Sequence, residues 1–226
     1  MQRFAPEGLL GPLNPVERHN APPVLYVAGD VAVLRAGPRV SIVGSRAASP
    51  AALQRATRLA RELAKHGIVI VSGLAKGIDT AAHLGAIESG GRTIAVLGTP
   101  LDQVYPKENR GLQDRLMREH LVISQYAPGT ATRPSNFPRR NRTMALLSQA
   151  TVIVEAGESS GSLSQGWEAL RLGRALFIMR SVAEDASLKW PRDMLGYGAQ
   201  ILTSTEDVLE VLPPDLEVPQ LDRVAG

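Results

Sequence analysis

The sequence predicts an α/β fold, a mostly parallel sheet covered by helices on both faces, and three observations lead there. Short β-branched runs recur at intervals that leave room for a helix: VSIVG (40–44), IVIVSG (68–73), TIAVLG (93–98), LVISQ (121–125), TVIVEAG (151–157), ALFIM (175–179) and AQILT (199–203). Parallel neighbours need such crossovers, since a hairpin can join only antiparallel strands. The runs are also continuously apolar rather than alternating, as strands buried on both faces should be. Finally, several of them end directly in glycine-bearing turns, the usual entry into a following helix.

Each element has its own local signal. Residues 1–39 carry Pro12, Pro15, Pro22, Pro23 and Pro38 and read as an irregular N-terminal extension packed on the core, with one short strand near VLYVAG. The main unit then runs from 40 to 212. In SPAALQRATRLARELAKHG, Ser49 caps a helix, Pro50 takes its first position, Leu53, Ala56, Leu59, Ala60 and Leu63 form its apolar stripe, and Gly67 stops it. Arg55, Arg58 and Arg61 lie on its solvated face. Asp79 opens DTAAHLGAIES as an N-cap or as a ligand contact, and His83 one turn later is a packing residue. Tyr105, in VYPKEN, lies on a loop where packing and ligand contact are both open. Two prolines predict a loop for RPSNFPRRNR (133–142). Near the end, Thr203 and Glu206 have capping-box spacing before EDVLEVL, and 213–226 reads as a flexible tail.

Composition narrows the function. The chain has 226 residues, 44% of them hydrophobic, enough for one large domain. No apolar run approaches the roughly 18 residues of a membrane span, and MQRFAPEGLL lacks a secretory pattern, so a cytoplasmic address without membrane contact is expected. There are no cysteines, and His19, His66, His83 and His120 have no ligand spacing, so neither metal nor cofactor is expected. Net charge is only +3, though 21 of the 25 basic residues are arginines. Guanidinium suits carboxylate and phosphate, but a GC-rich genome also produces arginine, so local clustering must decide.

Three glycine turns cluster. GSRAASP (44–50), SGLAKGID (72–79) and EAGESSGSL (155–163) each follow a strand, and in open parallel sheets ligands bind beyond the strands' carboxyl ends. Gly44, Gly73, Gly77 and Gly161 would let backbone amides approach an anion, with Ser45, Arg46, Ser72, Lys76 and Ser162 adding donors and charge. The signatures GxxxxGK[ST], GxGxxG and GxSxG are absent. In RPSNFPRRNR, Arg133, Arg139, Arg140 and Arg142 surround Phe137. Such charge tracks a phosphate backbone while the ring stacks on an unpaired base; alternatively Phe137 anchors the loop and the arginines are solvated.

GSR (44–46), SGLAKGIDTAAH (72–83), YPKEN (105–109), NFPRRNR (136–142) and SGSL (160–163), in this order, resemble the Rossmann-like domain of the bacterial DNA-processing DprA (Smf) family over about residues 20–180. The resemblance implies a homodimeric, non-catalytic binder of single-stranded DNA that protects incoming DNA and loads RecA during natural transformation. Carried over by motif, Arg46 and Lys76 match basic positions and the backbone of Gly44, Ser45, Ser72 and Gly73 cradles phosphates. Asn141 and Arg142 reinforce that path, Phe137 meets a base, and Arg133, Arg139 and Arg140 supply general charge. The chain departs from the family at Ser164-Gln165-Gly166, where Thr-Ala is usual, and at Met179-Arg180, where a Pro-Gly turn is usual. The helical and winged-helix-like domains of many relatives are not expected within it.

The competing reading is a nucleotide sensor or enzyme. Nucleoside-monophosphate phosphoribohydrolases place a PGGxGTxxE loop where this chain has EAGESSGSLSQGWE, and Gly161-Ser162-Leu163 is similar to its centre. The second glycine and the glutamate are missing; position 165 is Gln165, and Glu168 comes a turn late. A pure protein-interaction module would bind no phosphate ligand.

Overall fold

The computed structural model describes residues 1–213. In chain order the elements are β1 (Gln2–Phe4), α1 (Pro6–Leu10), α2 (Pro15–Asn20), β2 (Leu25–Gly29), β3 (Arg39–Val43), α3 (Pro50–Lys65), β4 (Val69–Ser72), α4 (Ile78–Glu88), β5 (Thr93–Leu97) and α5 (Arg110–Glu119). They continue with β6 (Leu121–Ser124), α6 (Asn136–Leu147), β7 (Ala150–Ile153), α7 (Ser162–Arg171), β8 (Ala175–Met179), α8 (Arg180–Ala183), α9 (Trp190–Gly196), β9 (Gln200–Leu202) and α10 (Thr205–Val211).

All nine strands form one sheet in the order β1-β2-β6-β5-β4-β3-β7-β8-β9. The seven runs expected as strands are β3 to β9, and every pairing among them is parallel. From β3 the chain winds outward through β4, β5 and β6, then returns to place β7 on the other side of β3. The crevice beyond the carboxyl ends of β3 and β7 is therefore the topological switch point, where open α/β sheets bind ligands.

Packing on both faces explains the unbroken apolar runs. Val40, Ile42 and Ile70 meet the stripe of α3 and Ala82 and Ala86 of α4, with Val208 of α10 beside them. Leu116 of α5 packs with Ala95, Leu97 and Val122. The alternate residues Val43, Val71, Ile94 and Val96 meet Met144 and Leu147 of α6 and Trp190 and Met194 of α9. His83 is a packing residue, as expected. It is fully enclosed, with Nδ1 2.7 Å from the Thr93 hydroxyl, and that hydroxyl gives its own proton to the Ile70 carbonyl. His83 therefore donates from Nδ1, and burial lowers its pKa to about 3.

Helix α3 has its Ser49 cap and left-handed Gly67 where the sequence placed them. Elsewhere the expectations need correction. Residues 1–39 hold two strands rather than one, and both extend the sheet antiparallel beyond β6. The capping box of α10 joins Ser204 to Asp207, one position on from Thr203 and Glu206. Only the first three residues of RPSNFPRRNR lie outside a helix; from Asn136 it is helical, with Phe137 and Pro138 in the first turn of α6. A proline is compatible there because the first amides of a helix have no partner within it. Of the tail expected at 213–226, all but residue 213 lies outside the described residues. Among the described residues no helix is long and apolar enough to cross a membrane, and no group of His, Asp and Glu could hold a metal ion.

Candidate functional site

A cavity of about 490 Å³ opens at the switch point. The turn after β3 (Gly44, Ser45, Arg46) forms one wall, the turn after β7 (Gly157 to Ser162) another, and Asp79 with Phe137, Arg140 and Asn141 close it. A slot of about 50 Å³, bordered by Gly73, Lys76, Gly98 and Tyr105, shares Arg46, Phe137 and Arg140 with the cavity. The three glycine turns do converge on one edge.

Close backbone approach shapes these turns. The Ser45 amide donates to the Glu155 carbonyl at 2.7 Å, and the Glu155 carboxylate accepts from the amide and hydroxyl of Ser49 at 2.8 and 2.6 Å. A Cβ on Gly44 would sit 2.7 Å from that carbonyl and 2.6 Å from Ile78. Gly77, at φ +76°, lies against the Ser45 carbonyl, which accepts the Ile78 amide at 3.2 Å.

The turn after β4 wraps around a buried acidic side chain. Asp79 is not the cap of α4, which is Gly77; its carboxylate reaches back to accept the amides of Gly73 at 3.1 Å and Ala75 at 3.2 Å. Between them Leu74 is held at φ 58°, a costly conformation for a large side chain. Asn109 donates to the Leu74 carbonyl at 2.8 Å and completes the clamp. Ser72 is fully buried with its hydroxyl on the Ile42 carbonyl at 2.7 Å, so neither it nor the Gly73 amide faces the cavity as a free donor.

Arg140 is also internal. It is 5% exposed, donates from Nη1 to the Val96 carbonyl at 2.7 Å, and lies against Gly73 so closely that a Cβ there would overlap its guanidinium. Burial pushes the Asp79 pKa up and the Arg140 pKa down, and each opposes the shift of the other. Arg140 is thus an internal residue bonded to the Val96 carbonyl rather than the exposed general charge expected of it.

The outer surface holds the remaining residues. Phe137 is half-buried against Gly98, with the Arg46 guanidinium carbon 5.4 Å from its ring centre and the Tyr105 ring centre at 5.3 Å. Asn141 donates to the Gly161 carbonyl at 3.1 Å and to the Ser164 hydroxyl at 2.6 Å, so it holds the last turn in place, and one of the departing residues is part of that clamp. Arg142 pairs with Glu168 at 2.8 Å, which Arg171 also engages. Lys76 pairs with Glu108 at 2.7 Å, but both groups are over half exposed and such a pair is readily exchanged. Among the described residues Arg46, Arg133 and Arg139 are exposed and have no carboxylate partner. Gly98 escaped the reading of three turns, although TIAVLG ends in glycine just as the other strands do.

Comparison with known proteins shows the family and the fold. A family model described as DNA recombination-mediator protein A matches residues 12–213. The DNA processing protein DprA of Streptococcus pneumoniae R6 is 42% identical over 193 residues, covering 85% of this chain and 68% of that protein. The Bacillus subtilis 168 protein of that name is 36% identical over 195 residues, covering 86% and 66%. Protein Smf of Escherichia coli K12 is 34% identical over 192 residues, and the chain covers 51% of its length. Among solved structures, Streptococcus pneumoniae DprA superposes with a TM-score of 0.80 at 37% identity, over 93% of this chain and 74% of that one. DNA processing protein A of Helicobacter pylori, whose structure concerns its single-stranded DNA binding mode, gives 0.75 at 30%, over 88% and 92%. The molybdenum cofactor binding protein of Rippkaea orientalis, at 20% identity and a TM-score of 0.56 over 77% of this chain and 94% of that one, shares the fold alone.

Proposed function

The chain belongs to the DNA recombination-mediator protein A family, and on that premise we propose that it is a sequence-independent single-stranded DNA-binding protein. One observation carries the reading: an exposed arginine without a carboxylate partner, Arg46, stands over an aromatic ring, Phe137, at the mouth of a switch-point cavity. Charge beside a ring is what an unpaired strand needs, since the cation follows the phosphates and the ring takes a base. Arg46, Lys76 and Arg139 meet phosphates, together with the start of α7 at Gly161 and Ser162. Phe137 takes the base. Gly44, Gly73, Gly77 and Asn141 hold the turns in place, and Arg142 steadies α6 through Glu168. The binding mode named for the Helicobacter pylori protein supports this reading.

The protein binds without turnover. The Asp79 carboxylate is committed to its own loop, and Glu168 is tied to Arg142 and Arg171. Position 165, where the nucleotide hydrolases carry their glutamate, is a buried glutamine. We propose further that the chain acts as a cytoplasmic homodimer and passes its strand to RecA during transformation. The family's description as a recombination mediator supports that last step.

The test is Arg46→Ala. Affinity should fall about equally for oligo-dT, oligo-dA and mixed strands, and the slope of log K against log salt should flatten by roughly 0.7, one phosphate's contribution on a single strand. Fluorescence anisotropy over a salt series measures both. A loss confined to one sequence would contradict the phosphate role.

A further inference from the structure

We propose a second base site on Tyr105, so that the protein holds two unpaired bases on adjoining rings; the proposal rests on the single-strand reading of the site. Tyr105 is 49% exposed, although it is a large aromatic at the edge of the slot it shares with Arg46, Lys76 and Phe137. The contact that accounts for its position is the Phe137 ring, and no side-chain hydrogen bond of its hydroxyl occurs among the described residues. The ring leans on Phe137 at 5.3 Å between centres and 47° between planes. A base inserted between two rings needs them roughly 7 Å apart, twice the roughly 3.4 Å spacing of stacked bases. The pair is too close for that, so a second base must lie on the outer side of Tyr105. Phe137, meanwhile, is pressed against Gly98 and carries Arg46 over its ring. Tyr105 therefore offers the more open aromatic surface, with Lys76 beside it for the neighbouring phosphate.

The experiment uses fluorescein-labelled dT20 and an abasic strand of the same length, with Tyr105→Leu and Tyr105→Phe in the full chain. Leucine keeps apolar bulk against Phe137 but has no π face, whereas phenylalanine keeps the face. Tyr105→Leu should bind dT20 at least about fivefold more weakly, the lower end of one stacked base. Tyr105→Phe should match wild type, and all three proteins should bind the abasic strand alike. Wild-type affinity of Tyr105→Leu for dT20, or an equal loss on the abasic strand, overturns the second base site and leaves the single-strand reading standing. If wild type binds neither strand, both fall.

Discussion

Replacing Asp79 with alanine should lower the free energy of unfolding by about 1–3 kcal/mol for each of the amides left without its acceptor. The Asp79 carboxylate attracts Arg140 through space without forming an ion pair, and burial penalises the charge of both groups. Removing the carboxylate is another matter. Arg140 would remain enclosed without the carboxylate that offsets its charge, and the Gly73 and Ala75 amides would lose their acceptor. Leu74 would also lose what holds it at φ 58°. Asp79→Asn keeps an acceptor for the amides but not the charge, so it should fall between alanine and wild type. Urea unfolding monitored by circular dichroism reads both variants, and an unchanged midpoint for the alanine variant would contradict the clamp. Because Arg140 floors both the cavity and the slot, single-strand affinity should drop in parallel.

Phe137→Ala is the second large effect, with an expected loss of about 1–3 kcal/mol in affinity for oligo-dT. In the proposed interface the ring would take the base, and it contacts Tyr105 and Arg46, so its removal would disturb each. The half-buried ring covers Gly98 rather than the central core, and the variant should retain its fold. Equal affinity of mutant and wild type in anisotropy titrations would remove Phe137 from the interface.

Strands β3 to β9 and helix α3 were legible because each is specified within its own segment, by apolar runs and by a Ser-Pro start with a glycine stop. Of the two N-terminal strands, β2 was legible as VLYVAG and β1 was not. β1 has three residues and only Phe4 of them is buried, so no periodicity could form. Proline misled at 138 because its penalty depends on position, and the first turn of α6 does not need the missing amide. The site was legible in outline, since the glycine turns, Arg46 and Phe137 do meet at one cavity. What remained hidden was pairing at long range. Nothing near Gly73 shows that its amide serves Asp79 and its bare face serves Arg140, 67 positions on. Glu108 and Glu168, which occupy Lys76 and Arg142, are likewise brought in only by the fold.

The central claim is that an exposed cation and a ring at the switch point select unpaired strands. It is tested most directly by titrating labelled single- and double-stranded oligonucleotides of equal length at low and moderate salt. The account predicts tighter binding to the single strand at both, since a duplex hides its base faces, and a marked weakening as salt rises. Binding to neither at low salt, or equal binding to both, would contradict it.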